Sequence, residues 1–488
     1  MMGEFRHLTD FEIEALVAQN NRAHPNWDGI RVGPSFNPQS FQGVIFFNSN
    51  TLNTDKDTLI FNTLFKHVYL ESCQIMQSAL TDCRVENGCT IISSSITALP
   101  NPLFGFNAQL KPGNEMTPTV YPDFEFSWEN VVHQKFNNSP TGLWFQPSHS
   151  NVIMENSIVE NASFLCNIFA APKTRIQNPN SLINVSLLRI DEPCFVGHGA
   201  MIKNSVLASA HIDGPVLISD SQIFPGSKLS GQLVVQNSIL GPHSQLAHGE
   251  ITASVLGPGI GFHHRSLLIA VWWPQGLGNV ASGAQVGSNH TSRAANSGSL
   301  ISEGWFFGLN TTVQFPLDLT EAPFGLLGSG QRLPAGRYPF PFSLYGSRTN
   351  QPMVKPGWVL HQNLLMVFRN EMKWRQRLPS HRSYTVFRPE LLNQIKKAYN
   401  LLKNLPNDDE LLVPENVPSL GPCPLRKLDR ELGLQIYQEF FENMPNGILE
   451  KNSRFAHILW ERLKKEVAKD SCPKDFEDVL HYFAETYL

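Results

Sequence analysis

Asn204-Ser205-Val206-Leu207, Asp220-Ser221-Gln222-Ile223, Asn237-Ser238-Ile239-Leu240 and Ala253-Ser254-Val255-Leu256 are four versions of one phrase, with starts 16, 17 and 16 residues apart. Within this stretch aliphatic residues recur about every six positions: Val206, Ile212 and Ile218, then Ile223, Leu229 and Val235, then Leu240, Leu246 and Ile251. A period of six nested in a longer period describes a chain wound as a three-sided prism, with three flat faces to each coil. A strand alternates every two residues and an amphipathic helix every 3.6, so neither accounts for the pattern. The interior of such a coil is narrow, so each face sends one branched aliphatic inward. Asn and Ser suit the corners, because short polar side chains tolerate tight turns and bond the local backbone. One coil alone buries too little to be stable, so coils must stack.

Working outward, residues 8 to 18 read as a short helix capped by Thr9 or Asp10, within an N-terminal cap of residues 1–50 that covers the open end of the solenoid. The first coils occupy 51–99, with aliphatic spacing from Leu59 through Val68, Ile75, Val85, Ile91 and Ile96. The rhythm stops at Leu99-Pro100-Asn101-Pro102. Residues 100–148, rich in Phe, Pro and Trp, read as an excursion that folds back on the solenoid, and long loops on rigid scaffolds often carry function. The rhythm resumes at Val152 and runs through a main solenoid of 149–346, dense in Gly and aromatics after Gly257. Residues 355–488 turn helical, with 3.6-residue spacing over Leu364–Arg377, Pro389–Leu405, Leu428–Glu442, Arg454–Ala468 and Phe476–Tyr487. The fold expected is therefore mainly β, a single-stranded solenoid with an inserted loop region and an α-helical C-terminal region.

Composition narrows the function. The net charge of −4 gives no electrostatic reason to expect nucleic acid or an anionic membrane as partner. No stretch reaches the ~18–20 apolar residues of a membrane span. Met1 to Asp10 carry Glu4, Arg6 and Asp10 without an apolar core, so no secretory signal is expected. The seven cysteines are scattered and never spaced CxxC, which fits reduced thiols in the cytoplasm.

The six-residue pattern resembles the left-handed β-helix of the hexapeptide-repeat acyltransferases. That resemblance implies left-handed crossovers, against the usual rule for parallel strands, and a homotrimer packed along the prism. Over most of residues 1 to 380 the chain is also similar to an uncharacterised bacterial β-helix family sometimes labelled as related to UDP-N-acetylglucosamine pyrophosphorylase. The motifs that carry this likeness are Gly261-Phe262-His263-His264, Gly287-Ser288-Asn289-His290-Thr291-Ser292-Arg293-Ala294, Gly304-Trp305-Phe306-Phe307-Gly308-Leu309 and Arg369-Asn370-Glu371. The Gly-rich nucleotide loop of the pyrophosphorylases, GxGTRM, has no match here, so the shared part is the helix alone.

What the resemblance implies is a transferase acting on a sugar or sugar-nucleotide. Acyl-CoA or an acyl-carrier protein would be the donor, and no tightly bound cofactor is expected. His290 or His264 would be the general base, since imidazole titrates near operating pH. Asn289 would donate to a developing oxyanion, and Arg293 would hold a phosphate or carboxylate. His263 and Arg265 adjoin His264, and Trp273 and Trp305 suit stacking on a sugar ring or nucleobase. Arg369 is an anion-binding candidate on a helix that otherwise reads as a solvated or interface face. Polar solenoid turns and core packing account for the same residues in a second reading, a non-catalytic trimeric scaffold or binding protein. A third reading places zinc on His211, His243 and His248, similar to the γ-class carbonic anhydrases.

Overall fold

The structure is a computed structural model, and it describes residues 5–102, 104–105, 128–132, 149–287, 298–348, 352–378, 383–405, 411–412, 420–469 and 475–488. It is mainly β, a parallel solenoid followed by a helical C-terminal region. Two compact units divide at Leu240 and Gly241.

In the first unit one wall is a parallel ladder of short strands in which Phe41, Ile60, Ile75, Ile91, Val159, Ile176, Val196, Ile212 and Leu229 stand in register. All nine point inward and are fully buried. Two further walls carry their own ladders, such as Val216 on Leu233 and Gln222 on Ile239. This is the six-residue rhythm made physical, with one inward aliphatic per face.

The repeated phrase proves to be a corner. Asn204, Asp220 and Asn237 adopt left-handed backbone, with φ of 47°, 48° and 48°. Asn and Asp tolerate that region better than other residues with a side chain. The serine that follows each is buried and does two jobs. Ser221 Oγ donates to the Ser219 carbonyl at 2.7 Å and accepts the Ser238 N–H of the next coil at 3.2 Å. Ser221 N–H in turn donates to Ser205 Oγ at 3.2 Å. Outside the serines runs an amide ladder: Asn167 donates to Asn184 at 2.9 Å, Asn184 to Asn204 at 3.1 Å, and Asn204 to Asp220 at 3.1 Å.

The helix α1 (Asp10–Ala18) begins with a capping box between Thr9 and Glu12, as the sequence indicates. Arg6 also grips Glu12, and chiefly through that bond the Glu12 carboxyl is lowered to about 2. Parallel pairing starts earlier than the aliphatic spacing indicates, with Arg22–His24 on Ile45–Phe47. Phe36, Phe41 and Phe46 fill these first coils in place of Val and Ile, which hides them from an aliphatic count. Of the excursion, Phe104 and the helix α2 (Trp128–Val132) lie within the described residues. Phe104 is buried with its carbonyl taking the Ser186 hydroxyl at 2.8 Å, and Trp128 packs edge-on against Phe224 at 5.2 Å. Phe104 and Trp128 thus each contact a residue of the solenoid coils.

In the second unit the inward ladder reads Leu246, Phe262, Val280, Phe307, Leu327 and Tyr345. Its interior becomes aromatic. The antiparallel pairing of Val354–Lys355 with Leu344–Tyr345 ends it. Helices follow at α3 (Trp358–Gln362), α4 (Leu364–Arg377), α5 (Pro389–Asn404), α6 (Lys427–Asn443), α7 (Arg454–Lys469) and α8 (Asp475–Tyr487). All but α3, too short for a periodic signal, agree with the sequence spacing.

Glu371 of α4 is fully buried and holds three hydrogen bonds, from Tyr482 Oη at 2.6 Å, Tyr487 Oη at 2.5 Å and Val386 N–H at 2.6 Å. Arg375 donates to Tyr482 at 2.9 Å. Burial raises the Glu371 carboxyl above its usual range despite these donors.

Two outcomes follow from this packing. Ser221→Ala leaves the Ser238 N–H buried without its acceptor, and urea unfolding should show a loss of about 1–3 kcal/mol. Because the folded pKa of Glu371 is raised, the folded state holds more protons than the unfolded one just above the ordinary carboxylate range. Stability of the helical region should therefore fall as pH rises through that window, and Glu371→Gln should flatten the slope in pH-dependent thermal melts.

Candidate functional site

Three of the predicted site residues, His263, His264 and Arg265, lie on one coil of the second unit. Phe262 turns inward, while His263, His264 and Arg265 are exposed. Arg265 adopts left-handed backbone (φ 59°) and its N–H donates to the His248 carbonyl at 2.6 Å. That contact sets the His264 ring over the His248 ring, with centroids 4.7 Å apart. His263 Nε2 lies 3.0 Å from Asn279 Oδ1 on the next coil. His290, Asn289 and Arg293 lie outside the described residues.

The two tryptophans require a correction. Trp273 and Trp305 are fully buried. Trp305 donates its indole N–H to the Ala322 carbonyl at 2.6 Å and stacks on Phe307 and Tyr345, and Trp273 packs edge-on against Phe307. They fill the prism. Aromatic residues in a Gly-rich stretch look surface-bound only while the coils that enclose them are out of sight. Arg369 is half-buried on α4, and Arg375, six residues beyond it, donates to Tyr482 of the Glu371 network.

The zinc alternative, with its ligands drawn from one chain or across a subunit interface, does not assemble within the single chain. Among the described residues His211, His243 and His248 do not form a group whose ligand atoms lie within 4.8 Å of one another. His211 stacks on Phe195 at 4.6 Å and His248 on His264.

A different triplet does converge: His67, Asp82 and His149 bring one ligand atom each within 4.8 Å of the others. Register places His67 and Asp82 on the corner that farther along carries the amide ladder. Both share its left-handed backbone, with φ of 56° and 47°. His67 Nδ1 is 2.7 Å from Asp82 Oδ1, and the His67 and His149 rings stack at 5.2 Å. The other Asp82 oxygen accepts the Ser150 N–H at 2.9 Å and the Ser150 hydroxyl. Burial by itself would raise the Asp82 carboxyl, but Ser150 and His67 outweigh it and hold it below its usual range. Burial lowers the His149 imidazole, with His67 and Arg84 adding to the effect against the pull of Asp82. No local motif marks this cluster in the sequence, because His67, Asp82 and His149 are joined only by the register of their coils.

A groove of about 720 Å³ follows another corner of the first unit. Asn62, Gln77, Ser93 and Ser163 edge it with amides and hydroxyls, and Ile45 and Leu64 give it apolar margins. Beneath the rim Ser78 and Ser94 repeat the corner device, the Ser94 N–H donating to Ser78 Oγ at 3.1 Å.

Residues 143–406 match the family described as Domain of unknown function (DUF4954). The chain is also similar to an uncharacterized protein of Treponema pallidum (strain Nichols), 24% identical over 260 residues. That alignment spans 51% of this chain and 36% of the relative, so the chain spans about a third of the length of the relative it matches. Among the described residues no helix is long and apolar enough to cross a membrane, and six cysteines (73, 83, 89, 166, 194 and 423) are free and buried.

Proposed function

The chain belongs to the DUF4954 family, and we propose that it is a non-catalytic β-solenoid binding protein whose ligand is a neutral polyhydroxylated molecule of the sugar class. The groove past Asn62, Gln77, Ser93 and Ser163 carries this reading. Its amides and hydroxyls suit sugar hydroxyls, and its apolar margins suit the C–H faces of a sugar ring. Among the described residues its lining contains no carboxylate, imidazole or thiol. Glycoside hydrolysis needs a pair of carboxyl groups and acyl transfer a general base, so the lining supports binding over turnover.

A second reading, transfer of an acyl group from a thioester to a sugar or sugar-nucleotide by a homotrimer, is favoured by one observation. His263, His264 and Arg265 stand exposed together on a single coil.

The binding reading expects retention of the full chain on an array of neutral hexose and N-acetylhexosamine oligosaccharides. The Gln77→Ala/Ser93→Ala pair should weaken the strongest hit by about thirtyfold, in keeping with two hydrogen bonds worth ~1 kcal/mol each. A folded protein that binds no neutral glycan would sink it. The transferase reading expects acetyl-CoA or UDP-N-acetylglucosamine to raise the thermal midpoint. That shift should disappear in His264→Ala or His290→Ala, and sedimentation should report a trimer.

A further inference from the structure

We infer that His67, Asp82 and His149 form a mononuclear binding site for a divalent transition metal of the zinc class. The site is separate from the groove and does not depend on what the groove binds.

The corner itself supplies the first argument. Along this column the chain satisfies its turns with amides, as Asn167, Asn184 and Asn204 do one above another. Nothing about the left-handed turn calls for a titratable side chain, since Asn meets its backbone requirement unaided. At His67 and Asp82 the amide is replaced by an imidazole and a carboxylate on consecutive coils. His149 then brings a second imidazole over the first at the point where the described chain resumes after the excursion. His67 Nδ1 meets Asp82 Oδ1 at 2.7 Å, and His149 adds its ring against that of His67.

The ligand set is the second argument. Two borderline imidazole donors and one hard carboxylate donor form a set that suits zinc, with a fourth position left for water or an outside ligand. Zinc bonds of ~2.0–2.2 Å place tetrahedral ligand atoms ~3.3 Å apart. The three donors lie within 4.8 Å of one another on a rigid wall, so small side-chain rotations close the set. The His67 Nδ1 and Asp82 Oδ1 atoms, now 2.7 Å apart, separate slightly to share the ion.

Support around the ligands is the third. Ser150 holds the far oxygen of Asp82 with its N–H and its hydroxyl, which leaves Oδ1 to meet His67. Such outer contacts orient a ligating carboxylate. The His67 side chain is 56% exposed, so an ion has a path in from solvent. Bound there, the metal would tie His149 to coils 67 and 82 residues from the start of the chain, pinning the strand that follows the excursion.

The test uses the full chain, stripped with chelator and titrated with zinc sulfate and, separately, cobalt chloride. One equivalent of zinc per chain is expected, with a zinc-dependent rise in thermal midpoint and the visible absorption of tetrahedral cobalt. Asp82→Asn and His67→Asn install the residue type that the same corner already uses, so both should fold, as far-UV circular dichroism will report, while losing the metal. His149→Gln should lose it too, and Ser150→Ala should weaken zinc by roughly tenfold. His264→Ala, in the other unit, should bind as wild type does. A folded wild-type chain that takes up no stoichiometric zinc or cobalt would overturn the site. So would a His149→Gln variant that binds as tightly as wild type, or an equal loss in His264→Ala.

Discussion

The stacking of one coil on the next depends on the corner serine. A left-handed residue turns the chain, and the small hydroxyl residue after it falls inside the turn, too buried for water to satisfy its neighbours. Ser221 meets this constraint by donating back within its own coil and accepting from the coil above. The same arrangement recurs at Ser78 and Ser94 on another corner. Burying a backbone N–H without a partner costs more than one such bond contributes, so the corner selects small hydroxyl residues strongly. Inward aliphatics supply the apolar burial, but they would allow coils to slide. The serines and the amide ladder fix the register.

With the interior occupied in this way, what the chain displays outward at each corner becomes available for other uses. Three kinds of display are present. The amide ladder of Asn167, Asn184 and Asn204 satisfies itself along the axis. The groove corner presents hydroxyls and amides from several coils in a row. The His67 and Asp82 corner presents metal-ligating side chains in the same backbone slots. A solenoid thus separates the residues that hold it together from those that meet solvent, and the two can change independently. The helical region is built on a different principle. There a fully buried carboxylate, Glu371, joins α4 to α8 through two tyrosines, so its packing is sensitive to protonation in a way the amides of Asn167, Asn184 and Asn204 are not.

Much of the architecture was legible from spacing. The six-residue rhythm identified the inward ladder residues, such as Ile212 and Leu229, and the 3.6-residue spacing placed five C-terminal helices. Legibility failed where the residue type departed from the rule. The first coils were hidden because Phe41 and Phe46 replace Val and Ile. Trp273 and Trp305 looked like surface aromatics, yet the second unit uses them as core. Their size carries no sign of which way they point. Of the predicted site, His263, His264 and Arg265 are exposed on one coil, while the tryptophans are withdrawn from it.

The sequence by itself determined that this chain forms stacked three-sided coils, since only that winding gives every sixth aliphatic a common interior. It also determined the helical region, because a periodic apolar face forces its own secondary structure. Which side chains meet was decided by tertiary structure alone. His67, Asp82 and His149 span the excursion and share no local motif, and they converge only because coil register lines up one corner across that gap. Periodicity is a property of neighbours along the chain. A site is a property of neighbours across coils, and register is what converts one into the other.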